Sequence, residues 1–442
     1  MINIIQEYEK LLNEFIAFKS VSMDAECKLD MIKTADWLFN IFKDRGFKVE
    51  LIKGPKTNPH IFASYDNNSK ETVMVYGHYD VQPAPLSQGW DTDPFMLVKK
   101  NGKYFGRGVI DDKGQVLIHM VTIFDLIRSG KLSYNVKFLI EGNEECGNDD
   151  MLDILVKYKK EFAFDHLIVS DGEIIKNRPV IEVSLRGGMS IKLVAKTANM
   201  DLHSGTFGGA VPNAAVLLMH LISKMISPEN VIAVDGFSGL IKKLPEDDIR
   251  ITEQLASIDK EFDDSTGVKR LTLLNGENFY LKTGLLPTIQ VTGFKSGYTS
   301  EGFSNIIPAE AEVRLNVRIP YTLKAEDVKK SILKWIDGNA DANMDLKIEV
   351  SGMHEPIRLN IKSAFTDKVI KCLQAAYGYK PLYKFVGGGV PFVGSIIEIY
   401  GKDALMIPLA NDDGNMHGPN ENFKIELITK SLEFSKRLLG KL

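Results

Sequence analysis

Short apolar segments that end in acidic residues or histidine constrain the fold of this chain more than any other feature. Val73–Tyr76, Val136–Ile140 and Leu167–Ser170 have the length and composition of buried strands. Apolar residues recur at helical spacing over Met31–Arg45 and Lys113–Ile127. Strands that alternate with helices predict an α/β fold with a mixed, largely parallel sheet flanked by helices.

The middle of the chain has a different pattern. Ser190–Ala195 and Ala311–Ile319 alternate polar and apolar residues, as half-exposed strands do, and Leu346–Val350 does so more weakly. Helical patterns accompany them over Val211–Met225 and Ala325–Ile336. Half-exposed strands with helices on one face predict a small α+β layer.

Two domains are expected, because 442 residues are too many for one ordinary core. Helical patterns return over Ala364–Tyr377 and Ile425–Leu439, which indicates that the C-terminal part rejoins the first domain. We predict a discontinuous first domain of residues 1–185 and 359–442, and an inserted domain of residues 186–358. The pattern over Ser227–Asn278 is mixed and predicts no element.

Composition and charge exclude several classes of partner. The formal net charge is -4 and no basic block is present, so we expect no nucleic-acid partner. No apolar run is long enough to span a bilayer, and the N-terminus lacks a signal-peptide pattern, so we expect no membrane partner. Three scattered cysteines, Cys27, Cys146 and Cys372, favour reduced thiols and a cytoplasmic location.

The first strand is followed by His78 and Asp80. Residues two apart in an extended segment share a face, so His78 could bind a metal ion while Asp80 orients a neighbouring ligand. A histidine and an aspartate in an ordinary loop are the alternative, since short patterns of this kind match often.

Paired acids stand at two further places. Asp111 and Asp112 precede the helix that is predicted to begin at Lys113, and Glu144 and Glu145 follow the second strand. Helix capping explains one aspartate, and two glutamates in an exposed loop are unremarkable. A tandem aspartate is more than a cap needs, however, and one carboxylate can bridge two cations. One glutamate can ligate a metal ion while its neighbour acts as general base on a bound water.

Two single residues complete the set. Asp171 follows the third strand, and His417 lies in a loop rich in glycine and asparagine, where a surface histidine is the alternative. Carboxylates and imidazoles at strand ends suit a metal site on an α/β sheet. Without a metal site, each of these residues would need its own structural explanation, and all of those explanations would have to hold at once. The sequence therefore predicts a metal site.

Together and in this order, these motifs resemble the M20 metallopeptidase family over nearly the whole chain. The motifs that carry the resemblance are His78-Tyr79-Asp80, Gly106-Arg107-Gly108, Asp111-Asp112-Lys113-Gly114, Glu144-Glu145, Ser170-Asp171, Asp201-Leu202-His203-Ser204-Gly205 and Met416-His417-Gly418-Pro419. The segment Tyr76–Ala84 is most similar to the carnosinase-type dipeptidase branch.

The resemblance implies two metal ions per subunit, usually Zn2+, with Mn2+ or Co2+ as possible substitutes. His78 and Asp171 would hold one ion, Glu145 and His417 would hold the other, and Asp111 would bridge them.

The resemblance also implies roles for residues that hold no metal ion. Asp80 would support His78, and Glu144 would be the general base and later the proton donor. The peptide bond between Asp111 and Asp112 would be cis.

The inserted domain resembles the family's lid and dimerisation domain. His203 would reach across a homodimer and stabilise the oxyanion in the partner's active site. Asn305 and Arg318 match positions that contact substrate, and a guanidinium suits a carboxylate. Gly389 ends a glycine-rich substrate loop in which dipeptidases often carry serine at this position. A loop histidine and a strand-edge surface charge are the alternatives for His203 and Arg318.

The expected activity is therefore hydrolysis of an amide bond in small peptides, as a dipeptidase or exopeptidase. An N-acyl-amino-acid deacylase is the alternative, because it uses the same metals on a different acyl group. A non-catalytic binding protein would not need Glu144. A two-metal phosphatase would need Asn-His-Glu and histidine clusters that the sequence lacks.

Overall fold

The chain is divided into two units whose segments interleave along the sequence. The computed structural model describes residues 3–235, 237, 244–259 and 267–441. The first unit comprises Met1–Val183, Leu359–Tyr383 and Phe392–Leu442, and the second comprises Ser184–Arg358 and Lys384–Pro391. Their assignment as a catalytic domain and a lid and dimerisation domain stays a prediction.

The strands of the described residues are numbered in chain order. They are β1 Lys48–Ile52, β2 His60–Tyr65, β3 Thr72–His78, β4 Val98–Lys100, β5 Lys103–Phe105, β6 Asn135–Glu141, β7 His166–Val169, β8 Val180–Leu185, β9 Gly187–Lys196, β10 Leu202–His203, β11 Thr288–Ser296, β12 Ile306–Ile307, β13 Glu310–Ile319, β14 Asp345–His354, β15 Ile357–Arg358, β16 Leu382–Val386, β17 Ala404–Met406 and β18 Asn422–Lys424.

The helices of the described residues are numbered in the same way. They are α1 Ile4–Ile16, α2 Lys28–Lys43, α3 Lys113–Arg128, α4 Met151–Lys157, α5 Ser204–Phe207, α6 Ala214–Met225, α7 Glu246–Ile258, α8 Phe279–Gly284, α9 Ala325–Asn339, α10 Ala364–Tyr377, α11 Pro391–Tyr400 and α12 Ile425–Leu439. None of them is long and apolar enough to cross a membrane.

The sheet of the first unit is mixed, with a parallel centre. Its strand order is β1-β2-β6-β3-β7-β17-β8. The central strands β6, β3, β7 and β17 run parallel, whereas β1, β2 and β8 pair antiparallel with their neighbours. The central strands are buried over most of their length, where their residues are mostly apolar. The predicted mixed sheet flanked by helices is confirmed.

Helix α3 passes through the middle of the first unit. It packs against α1, α12 and β3 and is buried along most of its length. Local chemistry sets the ends of α10, which packs against α12. The Ser363 hydroxyl accepts the Thr366 amide at the start of α10. Gly378, with a φ of 83°, ends that helix in the left-handed conformation that glycine tolerates.

The sheet of the second unit has four antiparallel strands in the order β11-β13-β9-β14. Helices α6 and α9 pack on one face, where alternate residues of β9 and β13 form the core. The predicted α+β layer is therefore present. Of the unassigned segment Ser227–Asn278, the structure describes α7, while residues 236, 238–243 and 260–266 lie outside the described part.

Several elements have no counterpart in the sequence-based prediction. Among them are α1, β2, β8 and β11, of which β2 extends the sheet next to β6. All three cysteines are free, as the sequence predicts.

Candidate active site

The parallel centre of the first sheet gathers the predicted residues at one edge. His78 ends β3 and pairs with Glu141 at the end of β6, while Asp171 lies two residues beyond β7. Parallel strands have their carboxyl ends at the same edge, so segments distant in sequence meet there. Asp111 arrives from the loop before α3, and His417 from the loop between β17 and β18.

The Asp111 carboxylate lies between two histidines. Its Oδ1 is 3.0 Å from His78 Nε2, and its Oδ2 is 2.7 Å from His417 Nε2. Asp171 Oδ2 is 3.7 Å from His78 Nε2, and Glu145 Oε2 is 3.3 Å from His417 Nε2. Two ligand groups of three residues therefore share Asp111.

These residues fit a pair of metal ions. His78 Nε2 is buried and makes no hydrogen bond with a described residue, although Asp111 Oδ1 is only 3.0 Å away. The ligand atoms of each group therefore lie close together without this hydrogen bond, as ligands of a common ion do. Imidazole nitrogens with carboxylate oxygens are ligands typical of zinc. The peptide between Asp111 and Asp112 is cis, as the resemblance implies.

Charge also favours cations at this edge. Burial raises the pKa of Asp171 to about 7, with the negative charge of Asp111 adding to the effect. Hydrogen bonds with Asp111 and then Glu145 raise the pKa of His417 to about 10. The pKa of Asp111 is lowered despite its burial, because both histidines contact it.

Asp80 organises both sides of the centre. His78 Nδ1 is 2.9 Å from the main-chain oxygen of Asp80 and 3.5 Å from its Oδ1, so the main-chain contact is the closer one. The Asp80 carboxylate accepts the amides of Glu144 at 3.2 Å and Glu145 at 3.1 Å. Asp80 therefore orients the glutamate loop as well as the histidine.

The two adjacent glutamates occupy different environments. Glu145 belongs to a ligand group and accepts a hydrogen bond of 2.8 Å from Gln82. Glu144 belongs to neither group found among the described residues. Burial raises its pKa, and the charges of Asp171 and Asp111 add to the rise while His78 opposes it. A carboxylate with a raised pKa beside a metal centre suits proton transfer.

A buried ion pair that the sequence does not reveal holds the Asp111 loop to the His417 loop. Arg107 donates to Glu421 at 2.8 Å and to the main-chain oxygen of His417 at 3.0 Å. Glu421 also accepts the amides of Gly108 and Asp111. Arg107 belongs to the motif Gly106-Arg107-Gly108, whereas no local sequence pattern predicts a role for Glu421.

His417 itself has a left-handed backbone, with a φ of 60°. This conformation is unfavourable for residues other than glycine, and the surrounding loop must hold it. The Arg107 contact to its carbonyl oxygen supplies part of that support.

In the second unit, His203 and Asn305 lie side by side. Leu202 and His203 pair with Ile307 and Ile306, and the Ser204 amide donates to the Asn305 carbonyl oxygen at 2.9 Å. His203 Nδ1 accepts the Gly205 amide at 3.0 Å. In the neutral ring the proton is therefore on Nε2, which leaves an exposed N–H donor.

Arg318 and Gly389 belong to a different part of the second unit. Arg318 lies on β13 opposite Gly188 of β9. A Cβ atom at Gly389 would lie 2.9 Å from the Arg186 main-chain oxygen and 3.0 Å from His354 Nε2. The prediction for this loop did not include Arg186 or His354.

Comparison with known proteins identifies the family to which these features correspond. The profile of Peptidase family M20/M25/M40 matches residues 74–441, which is most of the chain. That range includes every site residue described above.

Three relatives illustrate the similarity. The Beta-Ala-His dipeptidase of Homo sapiens is 29% identical over 362 residues, or 80% of this chain and 71% of that protein. The Cys-Gly metallodipeptidase dug1 of Schizosaccharomyces pombe is 26% identical over 447 residues, or 97% of this chain and 94% of that protein. The crystal structure of an M20 family metallo-carboxypeptidase from Sulfolobus solfataricus is 27% identical, with a TM-score of 0.86 and coverage of 98% of both chains.

Proposed function

This chain belongs to peptidase family M20/M25/M40 and is a metallopeptidase, and we propose that it hydrolyses dipeptides with two zinc ions at the Asp111 centre. The observation that carries the proposal is the Asp111 carboxylate between His78 and His417, each with one further carboxylate beside it. Relatives named as dipeptidases support the substrate class.

This geometry supports the proposed ligands. His78 and Asp171 would hold one ion, Glu145 and His417 would hold the other, and both ions would share Asp111. When bound, the ions supply Lewis acidity and lower the pKa of bound water toward about 7.

Glu144 is the proposed general base. It accepts a proton from the attacking water and later donates it to the leaving amine nitrogen. The Asp80 carboxylate holds the amide of Glu144 in place during both steps. We propose that His203 offers its Nε2 proton to the oxyanion in the partner subunit's site, with Asn305 beside it as a substrate contact.

A substrate panel tests this proposal. Protein freed of metal by chelation and reloaded with zinc, manganese or cobalt is assayed on dipeptides and on N-acetyl and N-succinyl amino acids. We expect dipeptide hydrolysis that disappears on chelation and returns with two metal equivalents per subunit. Turnover of N-acyl amino acids without dipeptide turnover would instead identify a deacylase.

A further inference from the structure

A buried histidine of the first unit, His60, lies beside the loop that carries Glu144 and Glu145. This loop comprises residues 142–150, between β6 and α4. His60 is the first residue of β2, and Ile61 pairs antiparallel with Ile140 of β6. Because antiparallel partners run in opposite directions, the start of β2 lies next to the end of β6. His60 is therefore at the edge of the sheet where the glutamate loop begins, and it is fully buried there.

One nitrogen of the His60 ring accepts a hydrogen bond from the start of the loop. The Gly142 amide donates to His60 Nδ1 at 3.2 Å. A ring nitrogen accepts only when it carries no proton, so the neutral ring has its proton on Nε2. Burial lowers the pKa of His60 to about 4, and the ring is neutral near neutral pH. The buried Gly142 amide therefore has an acceptor under those conditions.

The other ring nitrogen reaches the end of the same loop through Thr57. His60 Nε2 is 3.4 Å from Thr57 Oγ1, and this hydroxyl donates to Asp150 Oδ2 at 3.2 Å. Asn148 Nδ2 is also 3.4 Å from His60 Nε2, but it donates to Glu141 Oε1 at 2.7 Å. Since Nε2 carries the proton, it donates to the threonine hydroxyl. One imidazole thus connects both ends of the loop.

Two residues before His60 contact the loop as well. The Asn58 amide donates to Asn143 Oδ1 at 2.6 Å, and Asn58 Nδ2 donates to the Gly142 carbonyl oxygen at 3.1 Å. The Lys56 amide donates to Asp150 Oδ2 at 2.8 Å. Residues 56–60 therefore hold the loop at its first two residues and at its last.

The loop has little room to move between these contacts. A Cβ atom at Gly142 would lie only 2.5 Å from Tyr79 Oη, so the loop backbone passes close to that ring. Two residues further on, the Asp80 carboxylate accepts the amides of Glu144 and Glu145. If the acceptor on His60 were lost, the Gly142 amide would be buried without a partner, which is costly, and the backbone would shift to find another.

We propose that His60 is a positioning residue that holds Glu144 and Glu145 at the metal centre through the Gly142 amide. This role rests on the proposed peptidase function and deepens it. His60 is not one of the proposed ligands, and it acts through the backbone of the loop. The proposed base Glu144 and the proposed ligand Glu145 therefore depend on the same hydrogen bond, and its loss displaces both.

Zinc binding tests this role independently of activity. Wild type, His60→Leu and His60→Asn, each freed of metal, are titrated with zinc in competition with a chromophoric chelator. Leucine and asparagine have similar size and shape, but only asparagine presents an oxygen acceptor near the position of Nδ1. We expect His60→Leu to weaken the binding of one of two zinc equivalents about tenfold, as loss of support for a ligand does. His60→Asn should recover most of this affinity.

Dipeptide hydrolysis by the same proteins, saturated with zinc, tests the effect on the base. His60→Leu should lower kcat about tenfold, because a small displacement of a catalytic group slows the reaction. KM should stay within about twofold of wild type, because the loop contains no proposed substrate contact. His60→Asn should again recover most of the loss.

His166→Leu is the matched control. His166 is likewise the first residue of a strand in the same sheet, but its strand β7 runs parallel to β3. The start of β7 therefore lies at the edge opposite His78. Zinc affinity and kcat of His166→Leu should equal those of wild type, even where the substitution lowers stability.

Equal zinc affinities of wild type and His60→Leu, or a loss that His60→Asn does not recover, would overturn the role of His60. An unchanged kcat in His60→Leu would overturn it as well. If wild type hydrolyses no dipeptide, the proposed function fails, and the zinc titration alone then decides the role of His60.

A second variant applies if His60→Leu does not fold. Asn58→Ala removes the hydrogen bond to the Gly142 carbonyl oxygen and leaves His60 in place. It should change zinc affinity and kcat in the same direction as His60→Leu. Wild-type values of both would overturn the proposal that contacts with Gly142 position the glutamates.

Discussion

The edge of the first sheet and the open face of the second sheet carry opposite charge. At the edge, acids surround His78 and His417, whereas the face presents Arg318 and His354 on either side of Gly188. Most residues at the edge lie at or after the ends of parallel strands, whereas the residues on the face are positioned by the register of paired antiparallel strands. The excess of carboxylates at the edge suits cations, and the cationic side chains of the face suit an anion.

The largest expected effect distinguishes a base from a ligand at the edge. Glu144→Ala should lower kcat at least about a hundredfold, as loss of a general acid–base group does, and should retain both metal ions. Kinetics together with metal analysis check this outcome. Glu161→Ala, at an exposed glutamate of the same unit, is the control. Full activity, or loss of a metal ion, would remove Glu144 as the base.

The next effect tests whether the second unit contributes to catalysis in a homodimer. His203→Ala should lower kcat about a hundredfold, because it removes an oxyanion donor, with metal content unchanged. Mixing it with Glu144→Ala protein should restore part of the activity, since each mixed dimer contains one intact site. Absence of recovery after demonstrated subunit exchange would argue against a residue shared between subunits.

A smaller effect tests the cationic face. Arg318→Ala should raise KM for a dipeptide about tenfold or more, because it removes a charge-assisted contact to the carboxylate. Arg314 lies on the same strand and face but is exposed and paired with Glu312, so Arg314→Ala is the matched control. Equal KM values for the two variants would contradict a specific role for Arg318.

The smallest effect concerns stability in acid. Burial lowers the pKa of His119 to about 4, and the folded protein keeps this ring neutral between Ser170 and Ser435. Because the unfolded chain binds a proton below about pH 6.5, this stability is present above that pH and is lost as the pH falls toward 4.

Urea unfolding between pH 7.5 and 4.5 measures this dependence. His119→Gln should reduce the slope of unfolding free energy against pH by up to about 1.4 kcal/mol per pH unit. Gln substitution of the exposed His220 should leave the slope unchanged. An unaltered slope in His119→Gln would show that this histidine is not the acid-sensitive group.

The local spacing of apolar residues predicted many helices and strands correctly. The helices Ala364–Tyr377 and Ile425–Leu439 have the predicted bounds, because their apolar spacing is regular. The strand His60–Tyr65 escaped prediction because it is short and does not alternate, and its place depends on pairing with β6. Sequence periodicity reports which side of an element is apolar, and it does not report the partner strand.

The sequence by itself determined which residue types stand at the strand ends and in what order. Only the tertiary structure decided that Asp111 lies between His78 and His417, that Glu421 joins their loops, and that His354 fills the space beside Gly389. The physical reason is the separation along the sequence over which each interaction acts. Periodicity and capping act over a few residues, whereas these contacts depend on the path of the whole chain through two sheets.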